Sequence, residues 1–312
     1  MQSTVVILGT GGTIAGEAAS ADDSLGYRAG SLGLDALLAA VPPLAGRALE
    51  TEQLAQIDSK DMDFGTWQRL AQRAAHHLAR PEVAGVVVTH GTDTLEETAW
   101  LLHRVLAPAK PLVLTAAMRP ATALSADGPQ NLLDAVTLAA TPGAQGVMAV
   151  LAGAVHAAAD LRKRHTLRLD TFDGGDAGPL ARIDGGRLRR FRAWPTGDAL
   201  GLPTLAADPA RWPWVAVLAS HAGADGREAR ALVAAGVQGL VVAGTGNGSL
   251  AQPLADALDD AVRAGVLVCR ASRCGAGPVL DPVASAERLF ASGELSPWQA
   301  RVDLMLALLA RR

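Results

Sequence analysis

The sequence predicts an α/β fold, a larger N-terminal domain on a mostly parallel sheet followed by a smaller C-terminal α/β domain. Three observations carry this expectation. Short aliphatic and β-branched runs recur along the 312-residue chain with amphipathic stretches between them, the alternation that builds parallel sheets with right-handed crossovers. The composition, 49% hydrophobic and 19% charged, supplies core enough for one large or two ordinary domains at about 100 to 200 residues each. The alternation lapses once, between Phe172 and Pro213, where Gly, Pro and Arg are dense.

In chain order, strands are expected at Thr4 to Leu8, Val86 to Thr89, Leu112 to Thr115, Val147 to Leu151, Val215 to Leu218, Leu240 to Ala243 and Val266 to Cys269. Trp67, Leu70, Ala71, Ala74 and Leu78 recur at the helical period, as do Leu95, Thr98, Ala99, Leu102 and Leu106, so both stretches should pack on the sheet as helices. Another helix is expected from near Ser249. The segment Leu304 to Ala310 (LMLALLA) is apolar almost all round and needs cover from the core or from a partner subunit. The irregular stretch reads as a hairpin and a linker. Domains are therefore expected at residues 1–195 and 213–312, the linker running from about 190 to 212.

Lys and Arg number 28 against 31 Asp and Glu, so a net charge of −3 gives no field to draw a polyanion or an acidic membrane. Neither nucleic acid nor membrane is expected as a partner. The cluster Arg187, Arg189, Arg190 and Arg192 reads as a solvated face or a subunit contact. Cys269 and Cys274 lack zinc spacing and the seven histidines lack metal-ligand spacing, so no metal is expected. The first strand begins within a few residues of Met1, without a basic region and long apolar stretch ahead of it, which at face value points to the cytoplasm.

Four turns carry polar chemistry. In LGTGGTIAGE, Leu8 to Glu17, glycines after the first strand allow a sharp turn with exposed N–H groups, and Thr10 and Thr13 bring hydroxyls. Ile14 stands where a dinucleotide fingerprint needs Gly, and Glu17 where a phosphate loop needs Lys. Thr13 is thus either a turn cap or a ligand-facing hydroxyl at the carboxyl end of a strand, where open α/β sheets bind ligands. In VVVTHGTDTLEETA, Val86 to Ala99, Asp93 or Thr94 suits the helix N-cap and Glu96 and Glu97 suit the positive helix end. Capping leaves the crowding of Thr89, His90, Thr92 and Asp93 unexplained; a hydroxyl beside a carboxylate can orient water or hold a cation. His90 is either a base or a structural residue. In DLRKRHTLRLDTF, Asp160 to Phe172, Lys163 is either a surface lysine or, if buried against Thr92, a base. GTGNGSL, Gly244 to Leu250, resembles a nucleotide loop only weakly, Ser249 replacing the last glycine.

Taken together, TGGTIAG, THGTDTLEETA, AMRP with SADGPQNL (Ala117 to Leu132), LRKRHT and GNGSL resemble the bacterial L-asparaginases, including the asparaginase-glutaminases, in the right order from residue 4 to about residue 310. The resemblance implies hydrolysis of a side-chain amide, such as that of asparagine, to a carboxylate and ammonia without metal or organic cofactor. It also implies a homotetramer, a dimer of dimers with active sites at the subunit interface. Position by position, Thr13 matches the primary nucleophile and Tyr27 the tyrosine over it, in a segment expected to act as a lid. Thr92, Asp93 and Lys163 match a second catalytic cluster. Asp58 and Ser59 fall at the substrate-binding turn, Ser59 matching the serine that binds the α-carboxylate, while Asp93 also receives the α-ammonium. Backbone N–H groups near Thr92 and Ala117 would hold the oxyanion, and Asn247 matches an asparagine lent by a neighbouring subunit.

Two departures stand out. The family usually has glutamine after the serine where this chain has Lys60, whose ammonium, pointed the same way, would face the substrate's α-ammonium and weaken binding of asparagine and more so of glutamine. Near residue 281 the segment is shorter than the periplasmic pattern and lacks its glutamate, Asp281 being the nearest acid. The competing readings are a non-catalytic amino-acid-binding protein on the same fold, and the ammonia-supplying subunit of a tRNA-dependent amidotransferase. The latter carries a further domain ahead of the first strand.

Overall fold

The computed structural model describes residues 3–23, 26–280 and 289–311, and the chain divides into two compact units, Met1–Leu202 and Pro203–Arg312. The first holds strands β1 (Thr4–Gly11), β2 (Leu49–Ile57), β3 (Val83–Thr89), β4 (Pro111–Thr115), β5 (Gly146–Leu151), β6 (Ala154–Ala157), β7 (Arg162–Lys163), β8 (Phe172–Asp173), β9 (Ala181–Asp184) and β10 (Arg187–Arg190). Its helices are α1 (Leu34–Ala39), α2 (Phe64–Leu78), α3 (Leu95–Leu106) and α4 (Gly128–Ala139).

Eight of these strands form one sheet in the order β10-β9-β6-β5-β4-β3-β1-β2, parallel from β5 to β2 and antiparallel through β6, β9 and β10. Strands β3, β4 and β5 read as continuous apolar runs because both faces are covered: Val86, Val87, Val88, Leu112, Val113 and Leu114 are fully buried. Around β1 the parallel order is 2-1-3-4-5, a doubly wound arrangement in which the chain leaves β1 to one side for β2 and returns on the other for β3. The connections diverge there, opening a crevice at the carboxyl ends of β1 and β3. In this register Gly9 pairs with Thr89, so the turns that follow the two strands emerge side by side.

The second unit is a parallel sheet of β11 (Val215–Ala219), β12 (Gly239–Gly244), β13 (Leu267–Ser272) and β14 (Leu289–Ala291), with α5 (Arg227–Ala234), α6 (Gln252–Arg263) and α7 (Pro297–Ala310). Ala229, Leu254, Ala257 and Leu258 of α5 and α6 pack with Leu218, Leu240, Val242 and Val268 on one face. Helix α7 lies along β11, β12 and β13, and Leu304 fills the space above Gly239. Ser296 and Gln299 close a reciprocal capping box at its start.

Several elements differ from expectation for identifiable reasons. Strand β2 (LETEQLAQI) escapes the apolar pattern because it is an edge strand with largely exposed or half-buried positions. Helix α6 starts at Gln252 rather than Ser249, because Ser249 is occupied in a backbone bridge with Thr245. In α7, Val302, Leu304, Met305, Leu306 and Leu309 are buried within this chain, so this helix makes no demand for a partner subunit. The hairpin expected in the irregular stretch is β9 and β10.

Candidate active site

Glycine brings the site's three turns together. Gly11 and Gly12 have φ of 106° and 82°, and a Cβ on Gly12 would stand 2.5 Å from the Cα of Gly91. A Cβ on Gly91 would stand 2.7 Å from the Cβ of Ser59. The turn after β1 therefore meets those after β2 and β3 backbone against backbone, and Gly91 leaves room for the Ser59 side chain. Hydrogen bonds lock them: Gly12 N–H donates to Ile57 O at 2.8 Å, Thr94 Oγ1 to Ser59 O at 2.8 Å, and Asp93 N–H to Ser59 Oγ at 3.2 Å.

Thr10 and Thr13 have different fates. Thr10 Oγ1 donates to Thr89 O at 2.9 Å and ties the two strand ends together. Thr13, in a short 3-10 turn and 7% exposed, has its hydroxyl 2.7 Å from the hydroxyl of Tyr27. Tyr27 is held by the paired chain around it, where Glu17 and Arg28 exchange backbone bonds of 3.0 and 2.9 Å and Gly30 N–H donates to Gly12 O at 3.0 Å.

Opposite, Lys163 Nζ donates to Thr92 Oγ1 at 2.8 Å and to Asp93 Oδ1 at 2.6 Å. Its side chain is 20% exposed, so it is not the solvated surface lysine that its basic surroundings suggest. Asp93 Oδ1 is engaged in this ion pair, while Thr94 stands at the N-cap position as expected but turns its hydroxyl to Ser59 O rather than to the helix N–H groups. His90 is fully buried, and burial pulls its pKa down to about 4. Its Nδ1 lies 2.7 Å from Gly91 O, an acceptor only, so Nδ1 carries the proton and Nε2 accepts from Thr98 Oγ1 at 3.0 Å. Thr98 in turn receives Trp67 Nε1–H at 2.8 Å. Both ring nitrogens are satisfied inside the fold, which makes His90 a structural residue.

Ala117 is buried after β4, its peptide anchored on both sides: Asn131 Nδ2 donates to Ala116 O at 2.9 Å, and Met118 N–H to Asp127 Oδ2 at 3.0 Å. Ser59 is buried, and Asp58 caps the turn that carries it by accepting from Lys60 N–H at 3.3 Å. Lys60 departs from the simple expectation. Its ammonium bonds Asp61 and lies 3.5 Å from Asp58, and the Asp61 carboxylate, with Asp58 behind it, raises its pKa above the usual lysine value. Its charge is therefore largely offset within its own turn.

Asn247 belongs to the second unit, where its carboxamide pairs both backbone groups of Leu280, donating at 3.0 Å and accepting at 2.8 Å. Asp281 lies outside the described residues. Among the described residues no group of three or more His, Cys, Asp or Glu side chains converges as a metal site. Asp127 and Asn131, which brace the Ala117 turn, were legible only as part of the SADGPQNL motif. Glu96 stands in the first turn of α3, as expected of a charge at the positive helix end, and in addition is only 5% exposed, its Oε2 accepting Lys163 N–H at 2.8 Å.

Two family models match the chain: Asparaginase, N-terminal, over residues 4–195, and the Glutaminase/Asparaginase C-terminal domain over residues 214–312. The chain therefore belongs to the asparaginase family of amidohydrolases. Among its relatives is L-asparaginase 2 of Bacillus subtilis, 38% identical over 97% of this chain and 81% of the relative. Another is the glutaminase-asparaginase of Pseudomonas fluorescens biotype A, 34% identical over 98% of this chain and 86% of the relative. The crystal structure of a probable cytoplasmic L-asparaginase from Campylobacter jejuni superposes with a TM-score of 0.91 at 38% identity, covering 98% of this chain and 95% of that one.

Proposed function

We propose that the protein hydrolyses L-asparagine to L-aspartate and ammonia through an acyl-enzyme on Thr13, with little glutaminase activity. The observation that carries this reading is the 2.7 Å contact between the Thr13 and Tyr27 hydroxyls, at the switch point of the sheet and on a turn that Gly11 and Gly12 let pack closely against its neighbours. Thr13 Oγ attacks the side-chain amide carbon, forming a C–O bond while its proton departs through Tyr27, the hydroxyl in direct contact. Backbone N–H groups near Thr92 and Ala117 hold the oxyanion. The C–N bond then breaks, ammonia leaves with a transferred proton, and water cleaves the ester to release aspartate and restore Thr13. Lys163, donating to Thr92 Oγ1, favours negative charge on that oxygen and fits Thr92 to orient the attacking water.

Ser59 and Asp93 receive the α-carboxylate and α-ammonium on this reading. With Lys60 beside Asp58, that acid gives an incoming ammonium less attraction, and a longer amide held by fewer anchors falls out of line with Thr13. The protein works as a homo-oligomer, a dimer of dimers with Asn247 lent across an interface, and its domains are residues 1–195 and 213–312. It acts in the cytoplasm, a reading supported by its likeness to the Campylobacter protein, itself described as a probable cytoplasmic enzyme. Ammonia release from asparagine and from glutamine, measured on the wild type and on Thr13→Ala, tests the reading. Turnover of asparagine that Thr13→Ala abolishes supports it. An inert wild type that still binds aspartate would make the chain a binding protein instead.

A further inference from the structure

We propose that Glu96 is the residue that positions Lys163. It belongs to neither cluster of the proposed mechanism, and it sits where an exposed acid at a helix end would be expected, yet it is buried. Its Oε2 accepts the backbone N–H of Lys163 at 2.8 Å, across 67 residues of chain.

Lys163 needs such a grip. It stands on β7, two residues long and paired only with the equally short β8. A two-stranded ribbon of that length has no stability of its own. The lysine side chain has four rotatable carbons, so its Nζ reaches Thr92 and Asp93 reproducibly only when its Cα is fixed. Neighbouring bonds fix the chain beyond it: Arg164 N–H donates to Thr171 O at 2.8 Å, and Thr171 Oγ1 donates to His165 O. At Lys163 itself the backbone N–H donates to the Glu96 carboxylate.

The economy of the arrangement lies in its source. Thr92, Asp93 and Glu96 fall within five residues at the start of α3, so one helix end holds Lys163 at both ends, by its main chain and by its ammonium. The three grips lie close together along one turn and the first residues of the helix it leads into, so their spacing is set locally rather than by packing across the fold. Displacing this end of β7 would leave Nζ off Thr92 while the turns that carry Thr13 and Ser59 stay in place. Glu96 thus acts through Lys163 and touches no substrate.

The role is one of reach, not of charge, and the test separates the two. In Glu96→Gln the carboxamide oxygen stands where Oε2 does and still accepts the N–H. In Glu96→Asp the charge is kept but the acceptor is withdrawn by one methylene. The proposal expects Glu96→Gln to keep kcat for asparagine within about threefold, and Glu96→Asp to lose about tenfold or more with KM little changed, as misplacement of a catalytic group does. Amide hydrogen exchange at Lys163 should quicken in Glu96→Asp and not in Glu96→Gln. This part of the inference rests on the proposed hydrolysis, but the exchange measurement does not, so a failure of that reading and a failure of this one are told apart. Greater activity in Glu96→Asp than in Glu96→Gln, or Lys163 exchange that is the same in both, overturns the proposal.

Discussion

Gly12 and Gly91, on different turns, stand so close that a Cβ on Gly12 would lie 2.5 Å from the Cα of Gly91. The contact fixes how far the turn bearing Thr13 stands from the turn bearing Thr92. Gly12→Ala adds a collision to a backbone with φ of 82°, and is expected to destabilise the protein by about 1–3 kcal/mol and cut activity further than stability alone explains. Gly91→Ala has no strained φ to contend with and pushes on Ser59, so its expected effect is chiefly on KM. Chemical denaturation and steady-state kinetics on the two variants check the distinction.

Thr13→Ala and Thr92→Val are each expected to lower ammonia release at least about a hundredfold while leaving the unfolding transition in place, since each removes a hydroxyl set for nucleophilic or proton-transfer work. Purified Thr13→Ala retaining more than about a tenth of wild-type turnover would remove Thr13 from the nucleophile's role.

Lys60→Gln removes the cation that sits between Asp58 and Asp61. Freed of it, Asp58 attracts an incoming α-ammonium more strongly. The KM for asparagine is expected to fall a few-fold with little change in kcat, and the gain is small because Lys60 is exposed and its pairs are screened. A KM that is unchanged or higher would show that the Asp58 charge does not reach the substrate.

Acid should destabilise the first unit through its buried histidines. Burial lowers the pKa of His90 and of His156 to about 4, from the ordinary histidine value of about 6.5. Between pH 6.5 and 4 the unfolded chain binds protons that the folded one refuses, so stability is full above about 6.5 and falls as pH drops toward 4. Each histidine contributes a slope of up to about 1.4 kcal/mol per pH unit in that window. Asp134, whose pKa burial raises, opposes the trend. Urea unfolding followed as a function of pH measures it; stability level down to pH 4 would contradict the assignment of neutral histidines.

Residues 17–30 are expected to gain protection from hydrogen exchange when aspartate binds. The segment has few apolar anchors, and among its described residues the bonds to the rest of the unit include Ala18 N–H to Thr122 Oγ1 at 2.9 Å and Leu124 N–H to Ala21 O at 3.0 Å. Exchange that is equal with and without aspartate would remove the lid from the account.

The turns after the first and third strands were legible because glycine, threonine and aspartate in such density have no core-packing explanation. The apolar strands β3, β4 and β5 were legible because both their faces are buried. Strand β2 was not, since an edge strand carries polar residues that mimic a loop. His77 illustrates the same limit in a helix: it takes a buried position on α2, its Nε2 on Glu52 at 2.8 Å, while Leu78 of the expected apolar stripe is only half-buried. Glu96 and the Lys60 ion pairs lay beyond reach for a related reason. Nothing local distinguishes a carboxylate that caps a helix from one that grips a strand 67 residues away, or a lysine that faces a ligand from one folded onto its own turn.

The central claim is that Thr13 becomes acylated. Thr92→Val, mixed with asparagine and quenched in acid, should accumulate the intermediate if Thr92 serves the hydrolytic step, and digestion followed by mass spectrometry locates it. The account predicts one aspartyl group on the peptide that contains Thr13. An aspartyl group on any other peptide, or continued turnover with no adduct in a variant whose Thr13 is replaced by alanine, would contradict it.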